Sequence, residues 1–285
     1  MLQLSLHFCN QLTQTPPVQT LHEFTAGVWH EIHIPSAGVP LRHFPELKWG
    51  AAGQLFSPAF WRHQHWTEVE LKPHNRKRYR IGESLLEEVV ACVLGGHGLP
   101  AECSLAYYEV IRGLGLFSHP PSNVSEVHRI MKNPVEVEGR PRRYRFWRSK
   151  GDCVFSMLTR HRPQIRLLEE SVNDAKELRQ RLCELPGIGM KTASWIARNW
   201  LDSDAVAVID IHILRCLANL GADVPVRITP DGYLRAEQSF LKFAESIGVE
   251  PQTLDLVIWS RMRQLVPVVG APERHSVLTA LPTAC

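Results

Sequence analysis

The chain has 285 residues, 44% of them hydrophobic, yet it lacks any uninterrupted apolar stretch near the roughly eighteen residues needed to cross a bilayer. No membrane span is expected. The first residues, Met1-Leu2-Gln3-Leu4-Ser5, carry no basic stretch ahead of an apolar one, so no signal peptide is expected and the inferred setting is intracellular, cytoplasmic or nucleoid. The seven cysteines, at 9, 92, 103, 153, 183, 216 and 285, are odd in number and dispersed, with no CxxC pair. That fits reduced thiols better than a disulfide framework. His30-Glu31-Ile32-His33 falls one residue short of the HExxH spacing and has no second clustered ligand set beside it, so no catalytic metal is expected. Charge of one sign is also scarce. The net charge is +3, which makes any case for a polyanionic partner depend on where the charges lie.

The basic residues do gather. Arg140, Arg142, Arg143, Arg145, Arg148 and Lys150 interleave with Tyr144, Phe146 and Trp147, and Arg76, Lys77, Arg78 and Arg80 form a second group. Such runs are most often solvated surface, and contacts to phosphates would make binding fall with salt. Residues 1–78 mix short β-like pieces, Leu2 to Phe8 and Val28 to Ile34, with Pro- and Gly-rich connections, and suggest a small N-terminal α+β domain. Residues 79–265 read as helical, with segments expected at 83–94, 101–114, 145–160, 211–220, 235–246 and 251–265. The tail, 266–285, shows no pattern.

The most informative stretch is Leu185-Pro186-Gly187-Ile188-Gly189-Met190-Lys191, between two helical patterns at about 174–201. A proline and two glycines make a tight turn, and glycine lets backbone N–H groups approach a phosphate at a helix N-terminus. Gly187 and Gly189 are therefore candidates for holding the DNA backbone, and the turn is expected to need positive φ at Gly189. In the second helix Ala193, Ile196, Ala197 and Trp200 form an inward stripe, while Lys191, Trp195 and Arg198 fall on another at i, i+4, i+7. Nineteen residues after Lys191, Asp210 closes an apolar run and opens the next helix, as an N-cap would.

The segment from Leu185 to Arg215 resembles the helix-hairpin-helix DNA glycosylase superfamily, whose signature is a Leu-Pro-Gly-x-Gly hairpin with a downstream catalytic Asp. Lysine two positions after the second glycine resembles the strand-cleaving members, and the Lys-to-Asp spacing with Ile209-Asp210-Ile211-His212 resembles the 8-oxoguanine branch. The resemblance implies a mostly α-helical glycosylase core behind the small N-terminal domain. It implies Lys191 and Asp210 as the catalytic pair, with Gly187, Gly189, Lys191 and His212 on the DNA backbone. It also implies double-stranded DNA with a damaged base as partner, and a monomer. The carbonyls of Cys183, Leu185 and Ile188 match those that hold a structural monovalent or alkaline-earth ion in the family. An iron–sulfur cluster of the endonuclease III branch is not expected, because only Cys216 and Cys285 follow Asp210.

The chemistry explains the residue types. Breaking an N-glycosidic bond builds oxocarbenium character, which the Asp210 carboxylate would stabilise. A lysine nucleophile attacks as the neutral amine, a form favoured at a helix start. Attack gives a Schiff base, which permits β-elimination of the 3′-phosphate. Taken singly, each residue has a plainer explanation: a solvated lysine, a cap, a sequence-neutral backbone clip. The combination favours a bifunctional glycosylase/AP lyase for an oxidised purine, with 8-oxoguanine expected. The alternatives are another altered base on the same scaffold, or a non-catalytic DNA-binding protein.

For the base pocket, the last helix resembles the family's pocket-lining helix, which places Trp259 at the stacking position and Asp255 where a glutamine usually reads the pairing edge. Asp255 would accept from guanine N1–H and N2–H₂. Trp195 replaces a small residue and would stack on the base or narrow the pocket. His97, in Gly95-Gly96-His97-Gly98, is the candidate wedge that fills the hole left by an extruded base.

Overall fold

In this computed structural model, residues 18–72, 79–96, 98–222, 224–225 and 228–269 are described. The expected wedge His97, the Leu2–Phe8 piece, Arg76, Lys77, Arg78 and most of the tail lie outside them. Two hairpins come first: β1 (Val18–Thr25) with β2 (Val28–Pro35), and β3 (Pro40–Leu41) with β4 (Phe44–Lys48), both antiparallel. The His30–His33 segment lies within β2, where Glu31 pairs with His33 at 2.9 Å on the solvent side. Helix α1 (Pro58–His65) runs into a π-helical turn (Trp66–Glu70).

A run of helices follows: α2 (Leu85–Leu94), α3 (Ala101–Gly113) and α4 (Val124–Lys132), a short hairpin of β5 (Val135–Val137) and β6 (Arg140–Arg142), then α5 (Trp147–Leu158), α6 (Arg162–Ser171), α7 (Ala175–Leu182), α8 (Met190–Leu201), α9 (Ile211–Asn219), α10 (Pro230–Ile247) and α11 (Pro251–Val269). The mostly α-helical class is borne out.

Side-chain caps set many of the boundaries. Ser57, Ser84, Asn123, Asp174 and Thr229 each accept from a backbone N–H in the first turn that follows, and Pro58 and Pro230 sit at helical first positions. Each such cap contributes about 1 kcal/mol. Ser57-Pro58 and Asn123 with Glu126 were readable start signals for α1 and α4, two helices the apolar periodicity did not reveal; α6 was also missed.

The interior holds two cores, and they do not divide at residue 78. One is built from α2 to α8, around Leu85, Val89, Tyr107, Val154, Leu178 and Ile196. The other joins Ile34, Leu41, Trp49, Phe60 and Trp61 of the N-terminal segment to Leu217, Phe240, Phe243, Ile258 and Met262 of α9, α10 and α11. Two-stranded hairpins offer too little apolar area to stand alone, so the N-terminal segment completes its core on helices almost 200 residues away in sequence.

The chain passes from the first core to the second through buried Val206, Ala207, Val208 and Ile209. This extended segment has side chains in place of a neighbouring strand. Glu237 accepts from the Ala207 N–H at 2.8 Å; the Tyr233 hydroxyl donates to the Ala207 carbonyl at 2.9 Å and accepts from the Ile209 N–H at 3.0 Å. Glu237 also pairs with Arg179 of α7 at 2.5 Å, and both are buried. Replacing Glu237 with Leu would strand a buried guanidinium and an amide, so the expected loss is about 3–5 kcal/mol of unfolding free energy. Urea denaturation of wild type and Glu237→Leu measures it; a loss below about 1 kcal/mol would show that the seam carries little of the stability.

Candidate active site

The expected hairpin is present. Helices α7 and α8 pack through Leu178, Leu182, Leu185, Ile188, Ala193, Ile196 and Ala197, all buried, and the turn exposes its glycines between them. The positive φ falls at Gly187 (+77°), and a Cβ there would lie 2.7 Å from the Cys153 Sγ. Gly189 corrects the expectation: its φ is −97°, and it serves as the N-cap of α8 with nothing within 4 Å of a Cβ. Its advantage is the open approach to the helix N-terminus rather than a left-handed turn. Of the three carbonyls expected to face an ion, that of Leu185 accepts from the Ile188 N–H at 3.3 Å.

Lys191 is exposed in the first turn of α8. Asp210 caps α9 through Oδ1, which accepts from the His212 N–H at 2.8 Å and the Ile213 N–H at 3.0 Å. Both bonds use one oxygen, so Oδ2 is left for other work. His212 links the two residues electrostatically. Burial lowers its pKa, Asp210 opposes that shift, and the charges of Arg215, Arg263 and Lys191 add to it. Amine, carboxylate and imidazole thus share one neighbourhood at the mouth of the hairpin.

The base-pocket candidates separate. Trp259 is 43% exposed, with the Arg263 guanidinium 4.5 Å from its ring centroid. Trp195 is half-buried; Tyr79 meets it edge-on with centroids 5.8 Å apart, and the Arg198 guanidinium lies 5.2 Å from its ring. Arg198 does not share the exposed stripe that the helical spacing suggested, for it is 1% exposed and paired with Asp255. Asp255 is itself buried. Burial pushes its carboxyl up to about 7 while Arg198 pulls it down, and Asp210 adds a smaller upward push. Its carboxylate is buried and paired with Arg198, so the edge-reading role that the sequence assigned to Asp255 is not available in this arrangement.

The arginine cluster ahead of the hairpin is exposed from Arg140 to Arg143, whereas Tyr144 is buried with its hydroxyl donating to the Leu94 carbonyl. Arg148 and Lys132 flank the Trp147 ring at 5.1 and 5.7 Å. What periodicity could not show is the wall opposite α8. Glu68, Lys72, Tyr79 and Arg80 come from segments with no helical or strand signature, and together with α8 and α11 they enclose a cavity of about 860 Å³. No local sequence signal points to it.

The lowered pKa of His212 has a measurable consequence. In the folded chain the ring stays neutral below the ordinary value of 6.5, while the unfolded chain takes up a proton. Its contribution is full above that value, and stability is lost as pH falls from about 6.5 toward the folded pKa. Melting temperatures at pH 7 and pH 5 should therefore differ less in His212→Gln than in wild type. An identical pH slope in the two proteins would contradict this account.

Comparisons with known proteins point to one family. The family profile Ogg-HhH, 8-oxoguanine DNA glycosylase, matches residues 70–249. An 8-oxoguanine DNA glycosylase/AP lyase of Saccharolobus solfataricus is 30% identical over 145 residues, covering 48% of this chain and 65% of that protein. One from Thermoplasma volcanium is 38% identical over 90 residues, covering 31% of this chain and 43% of that protein. The alignments thus leave a third or more of these relatives unmatched. Among solved structures, the 8-oxoguanine DNA glycosylase of Thermotoga maritima matches with a TM-score of 0.55 at 26% identity, covering 72% of this chain and 96% of its own. The Methanocaldococcus jannaschii 8-oxoguanine glycosylase/lyase, in complex with a 15mer DNA containing 8-oxoguanine, matches with the same TM-score and identity over 71% of this chain and 96% of its own. With a profile that spans well over half of the sequence and both hairpin and Asp210 in place, the chain belongs to the 8-oxoguanine DNA glycosylase family of helix-hairpin-helix proteins.

Proposed function

We propose that this protein is a bifunctional DNA glycosylase/AP lyase that removes an oxidised purine, 8-oxoguanine foremost, from double-stranded DNA. The observation that carries the reading is an exposed amine in the first turn of a hairpin helix, with a one-oxygen cap carboxylate and a neutral-leaning histidine beside it. In this reading the hairpin amides near Gly187 and Gly189 hold the backbone without reading sequence, and His212 contributes a phosphate contact. As the bond from C1′ to the base breaks, the base leaves with the electron pair and gains a proton, and Asp210 Oδ2 faces the positive charge that grows on the sugar. The lone pair of Lys191 Nζ forms the new bond to C1′ and the nitrogen gives up a proton, matching the one the base gains; the C1′–O4′ bond then breaks with O4′ taking a proton, and the ring-opened sugar is a Schiff base. Loss of the C2′ proton then expels the 3′-phosphate.

The five described cysteines that carry free thiols suit an intracellular setting, and no helix among the described residues is long and apolar enough to cross a membrane. The protein acts as a monomer in this reading. A structural ion at the carbonyls of Cys183, Leu185 and Ile188 would steady the turn and take no part in any step.

Two experiments test the chemistry. Borohydride should trap a covalent adduct with 8-oxoguanine duplex, and Lys191→Gln should abolish it while binding persists. Trapping that survives the substitution would place the amine elsewhere.

Asp210→Asn keeps a side chain that caps helices as well as aspartate does, so the melting temperature should hold. Excision should slow by roughly 10²–10³. Unchanged excision with a lowered melting temperature would reduce Asp210 to a cap, and the reading would shift to a non-catalytic DNA-binding protein.

A further inference from the structure

Apart from Arg261, whose Nε faces Glu68, the 860 Å³ cavity is lined by two residues with a donor that has no hydrogen-bond partner among the described residues. Arg198 Nε and Asn199 Nδ2 are both shut off from solvent without a hydrogen bond, and Arg198 as a residue is 1% exposed. A buried donor left without an acceptor costs about 1–3 kcal/mol, so the pair is poised for a ligand that brings one. The charges around it limit what that ligand is. Arg198 is already neutralised by Asp255 and Arg261 by Glu68, while Arg80 lies over Trp200 at 3.4 Å and donates to the carbonyls of Gly82 and Glu83. Lys72, Arg80 and Asp202 also line the cavity, so its charges are mixed, and a neutral carbonyl is the acceptor that suits the two unpartnered donors.

The cavity is walled in part by α8, the helix that carries Lys191. Lys191, Trp195 and Asn199 follow one another every four residues along it, a rise of about 12 Å of helix axis between the first and last Cα. A purine whose C1′ is held by Lys191 would pass over the Trp195 ring and point its far edge toward Asn199. Tyr79, edge-on to Trp195, closes that side.

We infer that Arg198 and Asn199 determine base specificity by donating to the C6 carbonyl of the extruded purine, the role that Asp255 leaves open because it holds Arg198 in place. The assignment rests on the glycosylase reading above. It predicts that the enzyme distinguishes purines by what sits at C6. A carbonyl accepts both donors, whereas an amine presents hydrogens to them and leaves them unpaired.

The test compares single-turnover excision of 8-oxoguanine, 8-oxoadenine and 8-oxo-2-aminopurine from otherwise identical duplexes, each normalised to nicking of a preformed abasic site, which presents no base. With wild-type protein, losing the C6 oxygen should lower normalised excision roughly tenfold or more, the scale of a good edge contact. Asn199→Asp replaces a donor by an acceptor of nearly the same shape at a half-buried position. It should lower excision of 8-oxoguanine and shift preference toward 8-oxoadenine, and Arg198→Lys, which keeps the charge facing Asp255 and removes Nε, should narrow the same ratio. Equal excision of all three lesions by wild type, or ratios within about twofold of wild type in both variants, would overturn the assignment. Because the first comparison needs no substitution, a variant that fails to fold does not protect the idea. If wild type neither nicks abasic DNA nor forms a borohydride adduct, the glycosylase reading itself fails, and that outcome differs from an active enzyme blind to C6.

Discussion

A buried seam of polar side chains holds the two cores in register. Glu237 lies between the Arg179 guanidinium and the Ala207 amide, Tyr233 bonds the Ala207 carbonyl and the Ile209 amide, and Asp255 pairs with Arg198. In a sheet these backbone groups would find a neighbouring strand. Here α10 supplies their partners, while α7 and α8 bring the guanidinium groups that pair with Glu237 and with Asp255 of α11. Buried ion pairs contribute little net stability compared with a well-packed apolar core, but breaking one is costly, and that asymmetry makes the seam a register device.

The active-site geometry follows from this arrangement. Lys191 belongs to α8, whose inner face is part of the first core, whereas Asp210 opens α9, which packs into the second. Amine and carboxylate therefore meet only where the cores meet, and the segment 206–209 delivers the carboxylate. Burying the peptide groups just before Asp210 leaves its backbone little freedom. A cap that uses a single carboxylate oxygen then fixes the side chain without consuming it. In the proposed mechanism a structural and a chemical role coexist in one residue because a carboxylate has two oxygens.

The same seam shapes the base-facing wall. Asp255 sits one helical turn before Trp259 on α11, so linear spacing places both on a pocket face. Folding brings a long guanidinium from α8 under the helix, and the carboxylate turns inward to meet it. Trp259 stays at the surface with Arg263 stacked on it. The departure at one position is thus coupled to a second: an acid where the resemblance leads one to expect an amide goes with an arginine seven residues after Lys191. Neither position reveals the other in sequence.

What the sequence by itself determined is whatever a local rule can encode. The turn chemistry of Pro186 and Gly187, the 3.6-residue stripe through Ala193, Ile196 and Ala197, the lysine two positions after Gly189 and the cap at Asp210 depend on neighbours within a turn or two, and all four were legible. The helices α1 and α4 were missed although their caps were readable, because helices of eight and nine residues carry few positions for periodicity to register. Only the tertiary structure decided where the chain divides, since Trp61 and Phe240 must be brought together before a shared core exists. It also decided which polar residues are buried. Burial follows from packing partners distant in sequence, so the pairing of Arg198 with Asp255, and the donors that it leaves facing the cavity, arise only when the two helices meet.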